Sequence, residues 1–301
     1  MRNHCNNRSK NLKLTLTLWA VGLFATNAYA AGNVVYGKDN RVDVYASTNS
    51  DFVELSKSTA GMVHHLNLDF IGGTGQYKLT GRSLGERMDL CKEEPFRDQK
   101  SSAICSGFLV GEDLLVTAGH CVNSEAKCIN YRWVFNYKVS SADSPDVVVS
   151  NDDIYSCKKI IKTVYPGGRN DDYALIQLDR KVTVAEPVKF RTQGYPEKGT
   201  ELVVIGHPSG LPTKIADGST VRSINKLYFV ADLDTYGGNS GSAVFNVKTG
   251  EVEGILVRGE QDYAWDSDAN CRRSNYVGQT AGRGEDVTHI TNVKALMNSV
   301  K

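Results

Sequence analysis

Gly237-Gly238-Asn239-Ser240-Gly241-Ser242 places one serine hydroxyl in a turn with almost no side-chain bulk around it. Glycines before the serine allow backbone conformations that other residues resist, and they can turn amide N–H groups toward an incoming carbonyl. A serine hydroxyl is a weak nucleophile until a neighbouring base takes its proton. The stretch therefore predicts a nucleophilic serine, provided that the chain also supplies a histidine and a carboxylate.

Two further motifs supply these groups. His120 ends the stretch Leu115-Val116-Thr117-Ala118-Gly119-His120, an apolar strand end followed by small residues. Asp172 opens the strongly apolar Asp172-Tyr173-Ala174-Leu175-Ile176, where a partly buried carboxylate needs a partner such as an imidazole N–H. Asp171 is the alternative carboxylate. Only one of the two aspartates can face the core of a strand, and the apolar run fits Asp172 better.

The order histidine, aspartate, serine in these three motifs resembles that of chymotrypsin-like serine proteases. Asn239 before the serine, and Val34-Val35-Tyr36-Gly37-Lys38-Asp39-Asn40-Arg41, are similar to the bacterial V8-type, or glutamyl endopeptidase, branch. The resemblance spans about Val34 to Val257, with a longer segment before His120 than bacterial relatives usually show. Trypsin has an aspartate at the position of Asn239, which receives the N-terminal ammonium on activation, so that switch is not expected here.

The resemblance implies a role for each residue. Ser240 attacks the scissile carbonyl, His120 takes and returns the proton, and Asp172 holds the imidazole tautomer. The backbone N–H groups of Gly238 and Ser240 form the oxyanion hole. Protein or peptide substrates are the implied partners, and the mechanism requires no cofactor and no metal.

Short apolar runs bounded by Gly, Pro, Asn and Asp predict an all-β protein, either a barrel or a sandwich. The resemblance narrows this to two antiparallel six-stranded β-barrels with the catalytic residues in the cleft between them. The expected protease domain is 31–301, with the first barrel at about 31–180 and the second at about 196–301. A C-terminal helix is predicted from the helical spacing of Ile290, Val293, Leu296, Met297 and Val300.

Six cysteines remain if the first thirty residues are removed, an even number that is compatible with three disulfides in an oxidising compartment. A bridge from Cys105 to Cys121 would tie neighbouring strands, and it resembles the disulfide that flanks the family's histidine. Closing a loop of that size is worth about 3 kcal/mol. The other four cysteines allow three pairings, of which we favour Cys128–Cys157 with Cys91–Cys271. The spacings do not resemble zinc knuckles, so no metal site is expected.

Residues 1–30 have the pattern of a secretory signal peptide: basic residues, an uncharged run from Leu14 to Ala25, and Ala28-Tyr29-Ala30. The run is shorter than the roughly 20 residues that span a bilayer, although an uncleaved anchor is the alternative. We expect a secreted protein, extracellular or periplasmic, that is monomeric and free of the membrane after signal removal. The net charge of +1, with charges scattered singly, argues against a nucleic-acid partner.

Substrate preference depends on Asp234, Thr235 and Arg258. In the family, the residue six before the serine lies at the base of the primary pocket, and a carboxylate there would favour Lys or Arg before the cleaved bond. Thr235 matches a threonine with which glutamyl endopeptidases bind glutamate, but their partner histidine would fall at about Leu256 and is missing. Arg258 could neutralise Asp234, receive an acidic substrate or face solvent. The favoured prediction is a basic preference; a glutamate-specific endopeptidase and a catalytically silent binding protein are the alternatives.

Overall fold

The computed structural model describes Met1 and residues 35–165, 171–259 and 261–299. The predicted signal segment therefore lies outside the described residues, except for Met1. The first eleven strands are β1 (Val35–Tyr36), β2 (Arg41–Asp43), β3 (Thr59–His64), β4 (Leu68–Ile71), β5 (Gln76–Leu79), β6 (Ala103–Gly111), β7 (Leu114–Thr117), β8 (Tyr131–Val134), β9 (Val148–Ser150), β10 (Ile154–Val164) and β11 (Tyr173–Leu178).

The second part of the chain contributes the other strands of the described residues. They are β12 (Glu201–Gly206), β13 (Lys214–Ile224), β14 (Tyr228–Ala231), β15 (Ala243–Asn246), β16 (Val252–Arg258), β17 (Tyr263–Asp266), β18 (Cys271–Ser274), β19 (Tyr276–Val277) and β20 (Glu285–His289). The α-helices are α1 (Ser50–Ser56), α2 (Leu84–Met88), α3 (Glu125–Asn130) and α4 (Lys294–Ser299).

The first barrel is closed by six antiparallel strands in the order β10-β11-β7-β6-β3-β8. Its strands carry β-branched and aromatic residues that favour a pleated, buried surface, and the side chains of Phe108, Val116 and Trp133 lie in its core. Gly107 makes room for this packing, because a Cβ there would lie 2.7 Å from the ring of Trp133. The barrel therefore forms a rigid base for the loop that follows β7.

The second barrel consists of β12, β15, β16, β20, β14 and β13, and the pairing of β12 with β13 closes it. Leu202, Phe229, Leu256 and Val287 pack in its core. The prediction of two six-stranded antiparallel barrels is confirmed. Although β2 lies within the range predicted for the first barrel, it pairs with β13 at the edge of the second, and β3 is the earliest strand of the first.

The predicted C-terminal helix is also present, as α4 preceded by a 3-10 turn at Ile290–Asn292. Ile290, Val293 and Leu296 are buried against the main core, which explains their spacing in the sequence. None of the described helices is both long and apolar enough to cross a membrane.

Three disulfides join Cys91 to Cys271, Cys105 to Cys121 and Cys128 to Cys157. These are the same three pairs that we favoured from the sequence. The Cys105–Cys121 bridge links β6 to the segment that follows β7, within one barrel. The Cys91–Cys271 bridge closes a much longer loop, with a sequence separation of 180 against 16.

We predict that the loss of either bridge lowers the free energy of unfolding, by an amount that rises with the logarithm of the loop length. The double variant Cys105→Ala/Cys121→Ala should lose about 3 kcal/mol, and Cys91→Ala/Cys271→Ala about 5 kcal/mol, because a longer closed loop restricts the unfolded chain more. Urea denaturation of the oxidised proteins measures both values. The reverse order would show that native packing, and not loop entropy, dominates.

Candidate active site

His120 and Asp172 are brought together by the pairing of β7 with β11. His120 follows the end of β7 and Asp172 immediately precedes β11, with Thr117 opposite Ala174 in the ladder. The imidazole Nδ1 lies 2.8 Å from Asp172 Oδ2, and the backbone N–H of His120 donates to Asp172 Oδ1 at 3.0 Å. The carboxylate is buried and accepts from the same residue twice, so it fixes both the ring and the backbone of His120.

Asp171, the alternative carboxylate, has a different partner. Its Oδ1 accepts a hydrogen bond from Asn292 Nδ2 at 3.2 Å, and its pKa is raised by burial. The adjacent aspartates thus have different surroundings, as expected when neighbouring side chains leave a strand on opposite sides. Of the two, only Asp172 contacts His120.

Ser240 lies in a loop that both barrels hold. From the first barrel, the N–H of Ser106 donates to Ser240 O at 2.8 Å, and Ser106 Oγ donates to Gly238 O at 2.9 Å. From the second barrel, Leu256 in β16 accepts from the N–H of Gly241 at 2.7 Å. Cys121, next to His120, has its Sγ 3.6 Å from Ser240 O. The loop is therefore seated against the segment that carries the histidine.

Gly241 is required where the loop meets the first barrel. Its φ is +89°, and a Cβ at this position would overlap Ser106 O and Thr117 Oγ1. Both the backbone conformation and the close approach exclude a side chain. A glycine directly after Ser240 therefore permits the contact that positions the serine.

The backbone N–H groups on either side of Asn239, those of Gly238 and Ser240, are available as hydrogen-bond donors. Gly238 has a φ of +99°, and within the described residues neither its N–H nor that of Ser240 donates to another protein group. No hydrogen bond joins Ser240 Oγ to His120 in the described chain; in free enzymes such catalytic contacts are often long and shorten only when substrate binds. The arrangement can accept a developing oxyanion next to a serine and a histidine.

A cavity of about 370 Å³ opens beside Ser240. Its wall is formed by the loop before the serine, the end of β16 and the start of β20. The lining residues are Thr235, Tyr236, Gly237, Ser240, Leu256, Val257, Arg258, Gly259, Gln261, Asp262 and Glu285.

Asp234 does not line this cavity, contrary to its predicted place at the base of the primary pocket. Its side chain is buried, where Oδ1 accepts from the N–H of Tyr36 at 2.8 Å and Oδ2 from the N–H of Asn40 at 3.0 Å. Burial raises the pKa of Asp234 to about 6. The carboxylate thus holds the N-terminal segment against the second barrel and is not presented to a substrate.

Thr235 and Arg258 do line the cavity, but each contacts an acidic residue of β20. Thr235 Oγ1 donates to Glu285 Oε2 at 2.9 Å, and Arg258 Nε lies 3.9 Å from Asp286 Oδ2. Arg283 also pairs with Asp286, whose pKa burial raises despite both arginines. Of the three possibilities left open for Arg258, pairing with Asp234 is not observed, and the ion pair that the structure shows is with Asp286.

Sequence reasoning missed three residues of this region: Ser106, Asp262 and Glu285. Ser106 directly follows Cys105, and the predicted disulfide of Cys105 was the only feature of the sequence that drew attention to this region. Asp262 and Glu285 stand in no motif, because the cavity forms where distant strands meet. The buried His207 lies outside the cavity lining; its Nδ1 is 3.0 Å from Leu211 O and burial lowers its pKa to about 3, so it stays neutral.

One group of residues in the described chain has a spacing that suits a metal ion: Cys105, His120 and Cys121. Both sulfur atoms of this group are joined in the Cys105–Cys121 disulfide. A bridged cysteine has no thiolate to offer, and metal binding requires the thiolate. This group therefore has no metal-binding chemistry in the oxidised protein.

Comparison with known proteins agrees with the architecture. A family model described as a trypsin-like peptidase domain matches residues 105–255, just over half of the 301 residues. A solved Glu endopeptidase in complex with MPD is similar, with a TM-score of 0.51 and 20% identity over 89% of this chain and 99% of that chain. The VesB protease of Vibrio cholerae has a TM-score of 0.53 and 14% identity over 86% and 66%, respectively. The sequence has no significant match among curated proteins.

We predict that Ser106→Ala lowers the free energy of unfolding by about 1 to 3 kcal/mol, because the buried N–H of His207, which donates to Ser106 Oγ at 2.9 Å, loses its acceptor. Ser102→Ala is the matched control: it is another buried serine of the same segment, but its Oγ donates to Thr80 O and not to the second barrel. Thermal or urea denaturation measures both. Equal losses would show that the bonds of Ser106 to the second barrel contribute nothing specific.

We predict that Asp234→Asn removes a pH dependence of stability. The native carboxyl keeps its proton up to about pH 6, whereas in the unfolded chain it loses it near its ordinary pKa of about 4. The wild type therefore loses stability relative to the variant, on the order of 2 kcal/mol, as the pH rises from 4 to 7. Urea denaturation at each pH tests this, and the other carboxyls cancel in the difference. A constant difference would contradict the raised pKa.

Proposed function

Because this chain belongs to the trypsin-like peptidase family, we propose that it is a serine endopeptidase that hydrolyses peptide bonds through an acyl-enzyme. The observation that carries the proposal is the buried Asp172 carboxylate, which binds both the ring and the backbone N–H of His120. The loop of Ser240 is seated against the segment that carries this pair. A carboxylate, an imidazole and a serine in this arrangement are the parts that nucleophilic acyl transfer requires.

In the proposed mechanism, Ser240 Oγ attacks the scissile carbonyl carbon while His120 Nε2 accepts the hydroxyl proton. Asp172 keeps the other ring nitrogen protonated and stabilises the imidazolium that forms. His120 then gives the proton to the leaving amine, and an acyl-enzyme on Ser240 remains. Water, deprotonated by His120, releases the acid and restores the serine.

The N–H groups of Gly238 and Ser240 are proposed to bind the oxyanion. Their lack of acceptors among the described residues supports this, because a preorganised donor needs no rearrangement when charge develops. Ser106 holds the loop through a hydrogen bond to Gly238 O. The absence of a side chain at Gly241 allows the loop to approach the first barrel closely. Loss of one such donor typically reduces the rate by about 10²- to 10³-fold.

The three disulfides favour an oxidising compartment, and we propose that the protein is exported, with residues 1–30 as its signal peptide. Protein or peptide substrates follow from the family. A monomer that binds neither membrane nor nucleic acid is the simplest form of the proposal, and the mechanism uses no metal or cofactor.

A catalytically silent protease-fold binding protein is the second candidate, because the absence of a hydrogen bond between Ser240 Oγ and His120 in the described residues fits it as well as it fits a free enzyme. The two candidates differ in the reactivity of the serine. An activated serine reacts with an uncharged fluorophosphonate, whereas an ordinary surface serine does not.

We predict that the fluorophosphonate labels Ser240 in the folded protein, and that Asp172→Asn slows both labelling and peptide hydrolysis by about 10⁴-fold, because the imidazole then adopts the wrong tautomer. Asp171→Asn is the matched control and should keep most of its activity, since Asp171 contacts Asn292 and not His120. Mass spectrometry locates the label, and Ser240→Ala should take none. An unlabelled wild type would support the silent binding protein.

A further inference from the structure

We infer that the outer face of β10 binds an acidic segment of the substrate protein, at a distance from the bond that is cleaved. This surface, the β10 basic strip, is formed by five cationic residues: Lys127, Arg132, Lys158, Lys159 and Lys162. The inference rests on the proposed peptidase activity, because it names a class of substrate for that activity. It concerns the outside of the first barrel and not the cavity beside Ser240.

Two β-bulges expose the lysines of β10. In a regular strand, neighbouring side chains point to opposite faces, so one of each adjacent pair would turn into the barrel. Here the pairing of β10 with β11 skips Lys158 and, further along, Ile161. Lys158 and its neighbour Lys159 are both exposed as a result, and Ile161 and its neighbour Lys162 are exposed too. The strand therefore presents three lysines to solvent within five residues.

Lys127 and Arg132 extend the strip on the side of β8. The disulfide between α3 and β10 places Lys127 and Lys158 each next to a bonded cysteine. Arg132 of β8 lies opposite Ser156 in the ladder, two residues before Lys158 in β10. The cations of α3, β8 and β10 are therefore neighbours on one surface.

Acidic partners for the strip are scarce. None of its five cations forms an ion pair with another described residue. Asp179, at the end of β11, accepts from the N–H of Ser156 and pairs with Arg180. The helix α3 contributes one carboxylate, that of Glu125. The strip therefore carries an excess of positive charge and is complementary to an anionic partner.

The strip leads to the catalytic cleft, which favours a segment of the substrate as its occupant. The strand ends at Val164, and the ring centroid of Tyr165, the next residue, lies 5.9 Å from that of His120. At about 3.3 Å per residue, Lys158 lies about 20 Å from this end of the strand. An extended peptide covers that distance with about six residues. A polypeptide bound at His120 can therefore reach the lysines with a segment about six residues from the cleaved bond.

The chemistry of the surface favours a peptide over a nucleic acid. Both edges of β10 are paired, with β8 and β11, so a bound segment must be recognised by side chains. Ile161 and Tyr165 are exposed beside the lysines, with 40% and 47% of their surfaces accessible. A peptide with acidic and apolar residues can contact both kinds of side chain, whereas the phosphates of a nucleic acid would use the lysines alone.

Binding to the Ser240→Ala variant tests the inference apart from catalysis. The probe is a fluorescein-labelled peptide of Glu, Ala and Leu, about ten residues long so that it covers the strip, and its copy has Gln in place of Glu. We expect fluorescence anisotropy to show that the Glu peptide binds more tightly, and that added salt weakens this binding. Lys158→Gln/Lys159→Gln/Lys162→Gln in the same background should lower the affinity for the Glu peptide by about 5- to 30-fold.

Three exposed lysines elsewhere in the described chain provide the matched control. Lys189→Gln/Lys198→Gln/Lys226→Gln removes the same charge and should leave the affinity for the Glu peptide unchanged. Equal binding of the Glu and Gln peptides, or equal losses in the two triple variants, would overturn the inference. Tighter binding of a double-stranded DNA of the same charge would also overturn it, because the strip would then belong to a nucleic acid.

Cleavage tests whether the bound segment belongs to the substrate. A library peptide that the wild type cleaves is extended by the Glu or the Gln sequence, on either side of the cleaved bond and about six residues from it. On one side, we expect the Glu extension to lower KM by about 5- to 30-fold with kcat unchanged, and the variant without the three β10 lysines to lose this difference. Equal KM values on both sides would overturn the inference. Binding of the Glu peptide by a protein whose Ser240 takes no fluorophosphonate would refute the peptidase proposal, while the strip kept its acidic partner.

Discussion

The contact of Ser106 with the loop of Ser240 is the constraint on which the active-site geometry depends. Ser106 belongs to a strand of the first barrel, yet its N–H and hydroxyl bind carbonyls of Ser240 and Gly238. Its hydroxyl also accepts from the N–H of His207, just after β12. One buried residue thus satisfies backbone groups of two segments of the second barrel. Since buried polar groups without partners are costly, this contact fixes the position of the serine loop relative to the first barrel.

Behind the cavity, the N-terminal segment is held by buried charge. Arg41 pairs with Asp39 at 2.6 Å, and its guanidinium lies 3.9 Å from the ring centroid of Tyr236, a lining residue. Asp234 binds two backbone N–H groups of the same segment. A carboxylate at this sequence position therefore supports the cavity wall from outside.

The sequence could predict the catalytic candidates that lie at the ends of recognisable strands. His120 and Asp172 flank paired strands, and their motifs could be recognised from the sequence, although the pairing itself followed from the resemblance. The barrels followed only from the resemblance, because strand order depends on pairings such as β12 with β13 that periodicity does not encode. Ser106 and Glu285 were missed for the same reason. Each acts on a segment more than 45 residues away, and neither stands in a motif that marks its role.

The prediction for Asp234 failed because a position in the sequence does not specify which groups surround the side chain in the fold. From the sequence, a carboxylate at this position was expected at the base of the primary pocket, where a substrate could reach it. The structure instead buries it outside the cavity lining, because the face that its oxygens occupy depends on the segment that fills the space behind. Here Tyr36 and Asn40 supply two N–H donors on that face, and they hold the buried carboxylate outside the cavity lining. On the cavity side, Thr235 donates a hydrogen bond to Glu285, the first residue of β20.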